Sequence, residues 1–260
     1  SIEAACKTDF AMVGGGAVQD NLWTDTGVPC GLIDVAGFAV TPEKAGNAGQ
    51  TPEESRTVQP IPNPGDRYIV AGLKLVDKAY PGALDKTGFM TADFQTLAAQ
   101  YSKESQGFEA EGATIVSKGV YGVNGEANWK PFATAMANDD VTFQKFIGEP
   151  GNGAAYEQAR AQVGFDPEVR YYETNFYDQG FIDAGGKAVD GALISSVFIP
   201  LEEADTHPAT QLYLDSGPEA VFERDRELNR YAEQRFASIP RVKVTGPTSD
   251  ATRSGATLAA

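Results

Sequence analysis

Thr87-Gly88-Phe89-Met90-Thr91 is a short apolar and β-branched run, and the stretch 94–104 behind it carries Phe94, Leu97, Ala98 and Tyr101 on one helical face. The first predicts a strand and the second an amphipathic helix. Working outward, the same pair recurs. A β-branched strand is expected at 113–121, then a helix at 128–137 with Trp129, Phe132, Ala133 and Met136. A strand at 142–147 and a helix at 154–163 follow, then a strand at 169–177, a short helix at 181–188 and a last strand at 192–199. Upstream, 67–79 places Tyr68, Leu73, Leu75 and Val76 at helical spacing. Strands that alternate with helices pair in parallel, so the fold class is α/β, with helices on both faces of a parallel sheet. The crossovers between its strands are right-handed. No internal repeat is evident, which excludes a solenoid.

The flanks are less regular. Residues 1–9 read as a helix, and Phe10-Ala11-Met12-Val13 as a buried strand running into the turn Gly14-Gly15-Gly16. A second short strand is expected at 27–33 and a surface loop at 41–66, rich in Pro, Gly, Glu, Asn and Thr. Within it, Gln59-Pro60-Ile61-Pro62-Asn63-Pro64 favours extended backbone and excludes a helix interior, as suits a crossover between lobes. Beyond Pro200, residues 208–214 and 222–236 read as helical, the latter as a mixed-charge, solvated helix. The stretch after Pro240 is rich in Gly, Ser, Thr and Ala and reads as partly disordered.

Composition narrows the function. The chain has 260 residues, with 21 Lys and Arg against 36 Asp and Glu, for a net charge of −15. That balance disfavours nucleic acid, whose phosphates need clustered cations, and anionic membrane surfaces. The single histidine, His207, and the pair Cys6 and Cys30 leave few metal options. His207 precedes Pro208 and reads as a capping or surface residue. The cysteines read either as one bridge in an oxidising compartment or as two small buried hydrophobes. No G-x-G-x-x-G, G-x-x-x-x-G-K-[ST] or G-x-S-x-G occurs, so no cofactor and no enzyme are expected.

Candidate site residues come from strand ends, because ligands of open α/β sheets sit at the carboxyl ends of the strands. Glu173-Thr174-Asn175-Phe176-Tyr177-Asp178 ends a strand in polar and aromatic groups that suit a small-molecule cleft, with Phe176 or Tyr177 equally readable as core. Gly148-Glu149-Pro150-Gly151-Asn152 has the same placement, with Glu149 able to meet a ligand ammonium or to stand as an exposed loop carboxylate. Asp93 and Phe94 follow the 87–91 strand in the same way. The Gly14–Gly16 turn is either structural or a contact for a small ligand.

Taken in order, several short motifs carry a resemblance. They are Phe10-Ala11-Met12-Val13-Gly14-Gly15-Gly16, Gly27-Val28-Pro29, Val58-Gln59-Pro60, Asn128-Trp129-Lys130-Pro131-Phe132-Ala133-Thr134-Ala135-Met136, Phe165-Asp166-Pro167-Glu168, Asn175-Phe176-Tyr177-Asp178 and Phe198-Ile199-Pro200-Leu201-Glu202-Glu203-Ala204-Asp205. Residues 1 to about 220 resemble the type I periplasmic binding proteins, and most closely the branched-chain amino-acid group of ABC-transporter solute receptors in actinobacterial-looking variants.

The resemblance implies a two-lobe fold. Residues 1–62 would form part of the N-terminal lobe, 63–200 a second, Rossmann-like α/β lobe, and 201–260 a return to the first lobe and a tail. It implies a further β-α-β unit before residue 1, so the first lobe is expected to be incomplete. It implies a Cys6–Cys30 bridge. In the first lobe the ligand loops match Gly14, Gly15 and Gly16 and the stretch Asp34, Val35, Ala36 and Gly37; in the second they match Phe94, Glu149, Asn175 and Tyr177. The implied function is non-enzymatic capture of a small organic solute (an amino acid, an amide or a related acid) outside the cytoplasm, by hinge closure, for ABC permease subunits. Family members often hold a ligand carboxylate with hydroxyl side chains of the first lobe; here glycines stand in the first loop, leaving backbone donors. Rival readings are a non-transport receptor or surface assembly subunit of the same fold, and an enzyme with an anion-binding glycine turn.

Overall fold

The computed structural model describes residues 2–14, 19–46, 52–59, 63, 65–196, 198–212, 214, 215, 223, 227, 230, 231, 234 and 235. The chain divides into two units, one made of residues 1–66 with 199–260 and the other of residues 67–198.

The first unit opens with α1 (Ile2–Thr8) and β1 (Ala11–Val13), then α2 (Trp23–Thr26), β2 (Ile33–Val35), α3 (Pro42–Ala45), α4 (Pro52–Ser55) and β3 (Thr57–Val58). Its strands form a parallel sheet in the order β1-β2-β3, with Met12 opposite Asp34 and Val35 opposite Val58. Buried Ala5, Trp23 and Leu32 make its core, with Ile2, Met12 and Val28 packed around them. Cys6 and Cys30 are disulfide-bonded, with Cα atoms 5.8 Å apart, and the bond fastens α1 to the segment before β2. Trp23 donates its indole N–H to the Ser55 carbonyl at 2.9 Å. A β-carbon on Gly27 would lie 2.3 Å from the Trp23 ring, so only glycine admits the ring there. Lys44 pairs with Asp34 at 2.6 Å and stands 3.3 Å above the Trp23 ring. A buried cation of this kind needs both partners.

Two expectations for this unit are corrected. The segment 27–33 is mostly turn, because the N–H groups of Gly27 and Val28 reach back to the Trp23 carbonyl and Gly31 takes a φ of 75°; strand begins only at Ile33. The region 41–66 is not all loop. Pro42 and Pro52 open short helices, at the position where a missing N–H costs nothing. Most of the proline run at 60–64 lies outside the described residues. Further along, Leu201–Thr206 is a 3-10 helix, and 208–212, 214 and 215 are helical. Of the expected charged helix at 222–236, the positions 223, 227, 230, 231, 234 and 235 are helical and the others lie outside the described residues, as does the tail.

The second unit runs α5 (Ala71–Ala79), β4 (Thr87–Asp93), α6 (Gln95–Ala110), β5 (Ile115–Gly122), α7 (Lys130–Asn138), β6 (Phe143–Ile147), α8 (Pro150–Val163), β7 (Val169–Tyr172), α9 (Gln179–Gly185) and β8 (Leu193–Ile194). Its five strands are all parallel in the order β5-β4-β6-β7-β8. Alternation along the strands feeds two cores. Phe89, Phe143, Ile147, Val169 and Tyr171 face Leu73, Val76 and Phe108 of α5 and α6. Met90, Phe146 and Tyr172 face Ala133, Met136, Ala154, Tyr156 and Phe181 of α7, α8 and α9. This is the three-layer sandwich that the strand–helix alternation predicts.

Boundaries move for identifiable reasons. α5 starts at Ala71, four residues into the expected span, and Leu75 points to solvent. α8 starts at Pro150, because proline suits a first turn. β7 stops at Tyr172, because the Glu173 carbonyl accepts the Phe176 N–H and turns the chain into a 3-10 helix, Thr174–Phe176. β8 pairs only at Leu193 and Ile194, and Ser196 then bonds both the N–H and the carbonyl of Phe198 to bend the chain away.

Candidate functional site

The order β5-β4-β6-β7-β8 contains one reversal. From β4 the chain goes outward to the edge strand β5 and then returns to β6 on the other side of β4. The loops leaving β4 and β6 therefore diverge, and such a reversal is where ligands of open α/β sheets sit. Phe94 follows β4, Glu149 follows β6, and Asn175 and Tyr177 follow β7. The fold thus brings all four onto one rim of the second unit.

Each is held by backbone logic. Phe94 is half-buried and extended (φ −153°, ψ 133°), and its carbonyl accepts the Ala98 N–H at 2.9 Å, which starts α6. Glu149 precedes α8; its carbonyl accepts the Gly153 N–H at 3.0 Å while its side chain lies exposed and makes no capping bond. Asn175 is exposed and donates its side-chain N–H to the Gly148 carbonyl at 2.9 Å. Tyr177 is half-buried, with its ring edge-on to Phe198 at 5.4 Å. Beneath them Tyr121 donates its hydroxyl to the Ile147 carbonyl at 3.0 Å. Burial, with Glu149 nearby, pushes that phenol well above its usual range. Asp178 caps α9 by accepting the Phe181 N–H at 3.1 Å.

In the first unit, Gly14, Val35, Ala36 and Gly37 meet at the carboxyl ends of β1 and β2. Gly14 adopts a φ of 75° and donates its N–H to the Val35 carbonyl at 2.9 Å; Ala36 donates to the Val58 carbonyl at 3.0 Å. A β-carbon on Gly37 would sit 3.1 Å from the Gly14 carbonyl oxygen, so the two loops are closely apposed. The N–H groups of Gly14 and Ala36 are thus engaged by the sheet rather than presented to a ligand. Gly15 and Gly16 lie outside the described residues.

Sequence reasoning passed over an ionic cluster beneath the second rim. Lys145, fully buried in the central strand β6, is ion-paired with Glu173 and lies 3.4 Å from Glu104 of α6. Tyr68 donates its hydroxyl to Glu173 at 3.1 Å, and Gln100 its amide to Glu104 at 2.7 Å. Burial pushes the Glu104 carboxyl up to about 7 against the pull of Lys145. Burial acts the same way on Glu173, but Lys145 and the bonds from Lys145 and Tyr68 outweigh it and hold that carboxyl below its usual range. Burial lowers Lys145, and the two carboxylates more than restore it. The signal was Lys145 itself: a central parallel strand is covered on both faces, so its charge had to be buried and paired. A second cluster joins α8 to β7, where Glu157 accepts from Arg160 and Arg170 at 2.8 Å each and from the Tyr172 hydroxyl. Among the described residues no group of His, Cys, Asp and Glu is arranged to hold a metal ion, and no helix is long and apolar enough to cross a membrane.

No protein-family model matches the sequence, and no curated protein sequence matches it. Solved structures do resemble it in fold. A leucine-, isoleucine-, valine-, threonine- and alanine-binding protein from Brucella ovis, in its closed conformation, matches with a TM-score of 0.65 at 16% identity, over 86% of this chain and 60% of that one. A putative branched-chain amino acid ABC transporter protein from Silicibacter pomeroyi matches with a TM-score of 0.61 at 14% identity, over 82% and 57%. A leucine-binding protein from Thermotoga maritima matches with a TM-score of 0.57 at 13% identity, over 78% and 57%. The chain spans between half and two thirds of the length of these structures. At such identities the likeness is one of fold: the chain carries the α/β fold of type I periplasmic binding proteins, with parallel sheets and helices on both faces.

Proposed function

We propose that the chain is an extracytoplasmic solute-binding protein that captures a small organic solute, without chemistry and without a cofactor, for ABC permease subunits. The observation that carries this is the rim at the carboxyl ends of β4, β6 and β7, where Phe94, Glu149, Asn175 and Tyr177 gather at the reversal of strand order. Aromatic surface with a few polar groups suits a small molecule. Phe94 and Tyr177 supply area, and Asn175 and Glu149 supply direction. An exposed carboxylate at that place favours a solute with an ammonium group, such as an amino acid or amino amide. Gly14, Val35, Ala36 and Gly37 form the corresponding rim of the first unit. Hinge closure on the solute, by preferring the closed population, is the mechanism we propose. The disulfide supports an oxidising, extracytoplasmic location, and the solved structures of like fold support a transport role.

The test is a thermal-shift screen of amino acids, amino amides and aromatic acids, with titration calorimetry of every hit on the parent protein and on Glu149→Gln. A hit weakened at least about tenfold by Glu149→Gln, the worth of a charge-assisted hydrogen bond, supports the reading. Silence across the whole panel argues for the non-transport alternative.

A further inference from the structure

The loop Glu173–Tyr177 does more than carry Asn175 and Tyr177. The chain enters the second unit at Arg67 and leaves it at Phe198. Near the entrance, the Tyr68 hydroxyl donates to Glu173 at 3.1 Å. Near the exit, Thr174 donates its hydroxyl to the Ser195 carbonyl at 2.7 Å, the Ser195 N–H returns to the Tyr172 carbonyl at 2.9 Å, and the Tyr177 ring packs on Phe198. Both ends of the unit are therefore fastened to one five-residue loop, Glu173–Tyr177. That loop is anchored from below by the ion pair between Glu173 and the fully buried Lys145, and from the side by the bond from Asn175 to Gly148. All of these contacts lie within the second unit.

We infer that the Glu173–Tyr177 loop couples the rim to both points at which the chain passes between the units, with Glu173 and Thr174 as positioning residues. This rests on the solute-binding reading for what the rim holds, but the coupling itself is a property of the protein alone. A solute that shifts Asn175 or Tyr177 displaces the anchors of entrance and exit together.

The experiment is hydrogen exchange on the solute-free protein, comparing parent, Tyr68→Phe and Thr174→Val. Tyr68→Phe keeps the ring beside Phe108 and removes only the hydroxyl. It is expected to speed exchange about fivefold at the Phe176 and Tyr177 amides and also at Ser195, on the far side of the loop. Thr174→Val is expected to speed exchange at Ser195 and, reciprocally, to shift the NMR signals of the Tyr68 ring, whose hydroxyl is bonded to Glu173. Amides of β4 stay unchanged in both. A helical detour exists, because Gly72 lies beside the Tyr171 hydroxyl and near Ser195; faster exchange along α5 in step with Ser195 would place the coupling there and overturn the inference. Changes confined to residues 67–70 and 101–108 in Tyr68→Phe, or to 194–198 in Thr174→Val, overturn it too. Because no solute is used, failure here is distinct from silence in the solute screen. Thr174→Val, a shape-conserving change, decides the matter if Tyr68→Phe does not fold.

Discussion

Asn175 donates its side-chain N–H to the carbonyl of Gly148 at 2.9 Å, and this bond ties the loop after β7 to the loop after β6. The residue that would touch a solute also sets the spacing between neighbouring loops. Asn175→Ala should therefore affect binding more than stability. The bond is exposed, so its loss costs about 1 kcal/mol or less in urea unfolding. Any solute found by thermal shift should bind at least about tenfold more weakly to the variant by calorimetry. Unchanged affinity would remove Asn175 from the site.

Gly148 is constrained from the opposite side. A β-carbon there would lie 1.7 Å from the Tyr121 hydroxyl oxygen and 3.2 Å from Phe146. Gly148→Ala should destabilise the second unit by about 2 kcal/mol, because the core cannot yield without breaking the Tyr121–Ile147 bond. Tyr121→Phe alone should cost about 1 kcal/mol. The double variant should be more stable than the sum of the two predicts, because deleting the hydroxyl removes the nearest obstacle, while the φ of 156° and the Tyr121 ring carbon at 3.1 Å keep part of the cost. Additive losses in a urea double-mutant cycle would mean that the hydroxyl is not the obstacle.

How much of this was legible beforehand depended on sequence distance. The strands from Thr87 onward were readable because each is an apolar run bounded by turn residues, and the reversal of strand order then brought Phe94, Glu149, Asn175 and Tyr177 to one rim. The start of α8 was missed because Pro150-Gly151-Asn152-Gly153 reads as a loop; its glycine is there because a side chain at 153 would strike Phe176. The short helices after Thr41 were hidden by the same proline and glycine signals. The ionic cluster escaped altogether. Tyr68 and Glu173 are 105 positions apart, and no local pattern pairs them. Only Lys145, set among Phe143, Phe146 and Ile147, announced that a buried charge needed partners.

That cluster has a pH signature. Glu104, whose ordinary value is 4.5, is held up to about 7 in the folded protein, chiefly by burial. A group raised on folding contributes stability that is full below its unfolded value and is lost as pH rises through its folded value. Between pH 4.5 and 7, wild type should therefore lose stability relative to Glu104→Gln, which has no proton to release. The difference should reach on the order of 3 kcal/mol and stay flat above that window. Glu173 runs the other way: its lowered carboxyl contributes stability above its usual range that is lost as pH falls, in both proteins. Urea unfolding of both proteins across this range, in a Trp23→Phe background and followed by Trp129 fluorescence, measures it. A difference independent of pH would show that Glu104 stays ionised throughout.

The disulfide should matter to one unit and not the other. Cys6 and Cys30 are separated by 24 positions, and closing a loop of that size stabilises a fold by about 3 kcal/mol in the chain-entropy account. The first unit depends on it, because the described apolar cluster around Trp23 holds just Ala5, Trp23 and Leu32 with a few half-buried neighbours, whereas the second unit has two extensive cores. The chain's two tryptophans separate the effects, since Trp23 is buried in the first unit and Trp129 in the second. In a Trp129→Phe background, replacing both cysteines by serine should shift the Trp23 unfolding transition to markedly lower urea or abolish it. In a Trp23→Phe background, the same change should leave the Trp129 transition where it was. If both transitions move together, the units unfold as one body, and the bond stabilises the whole chain rather than the small sheet it staples.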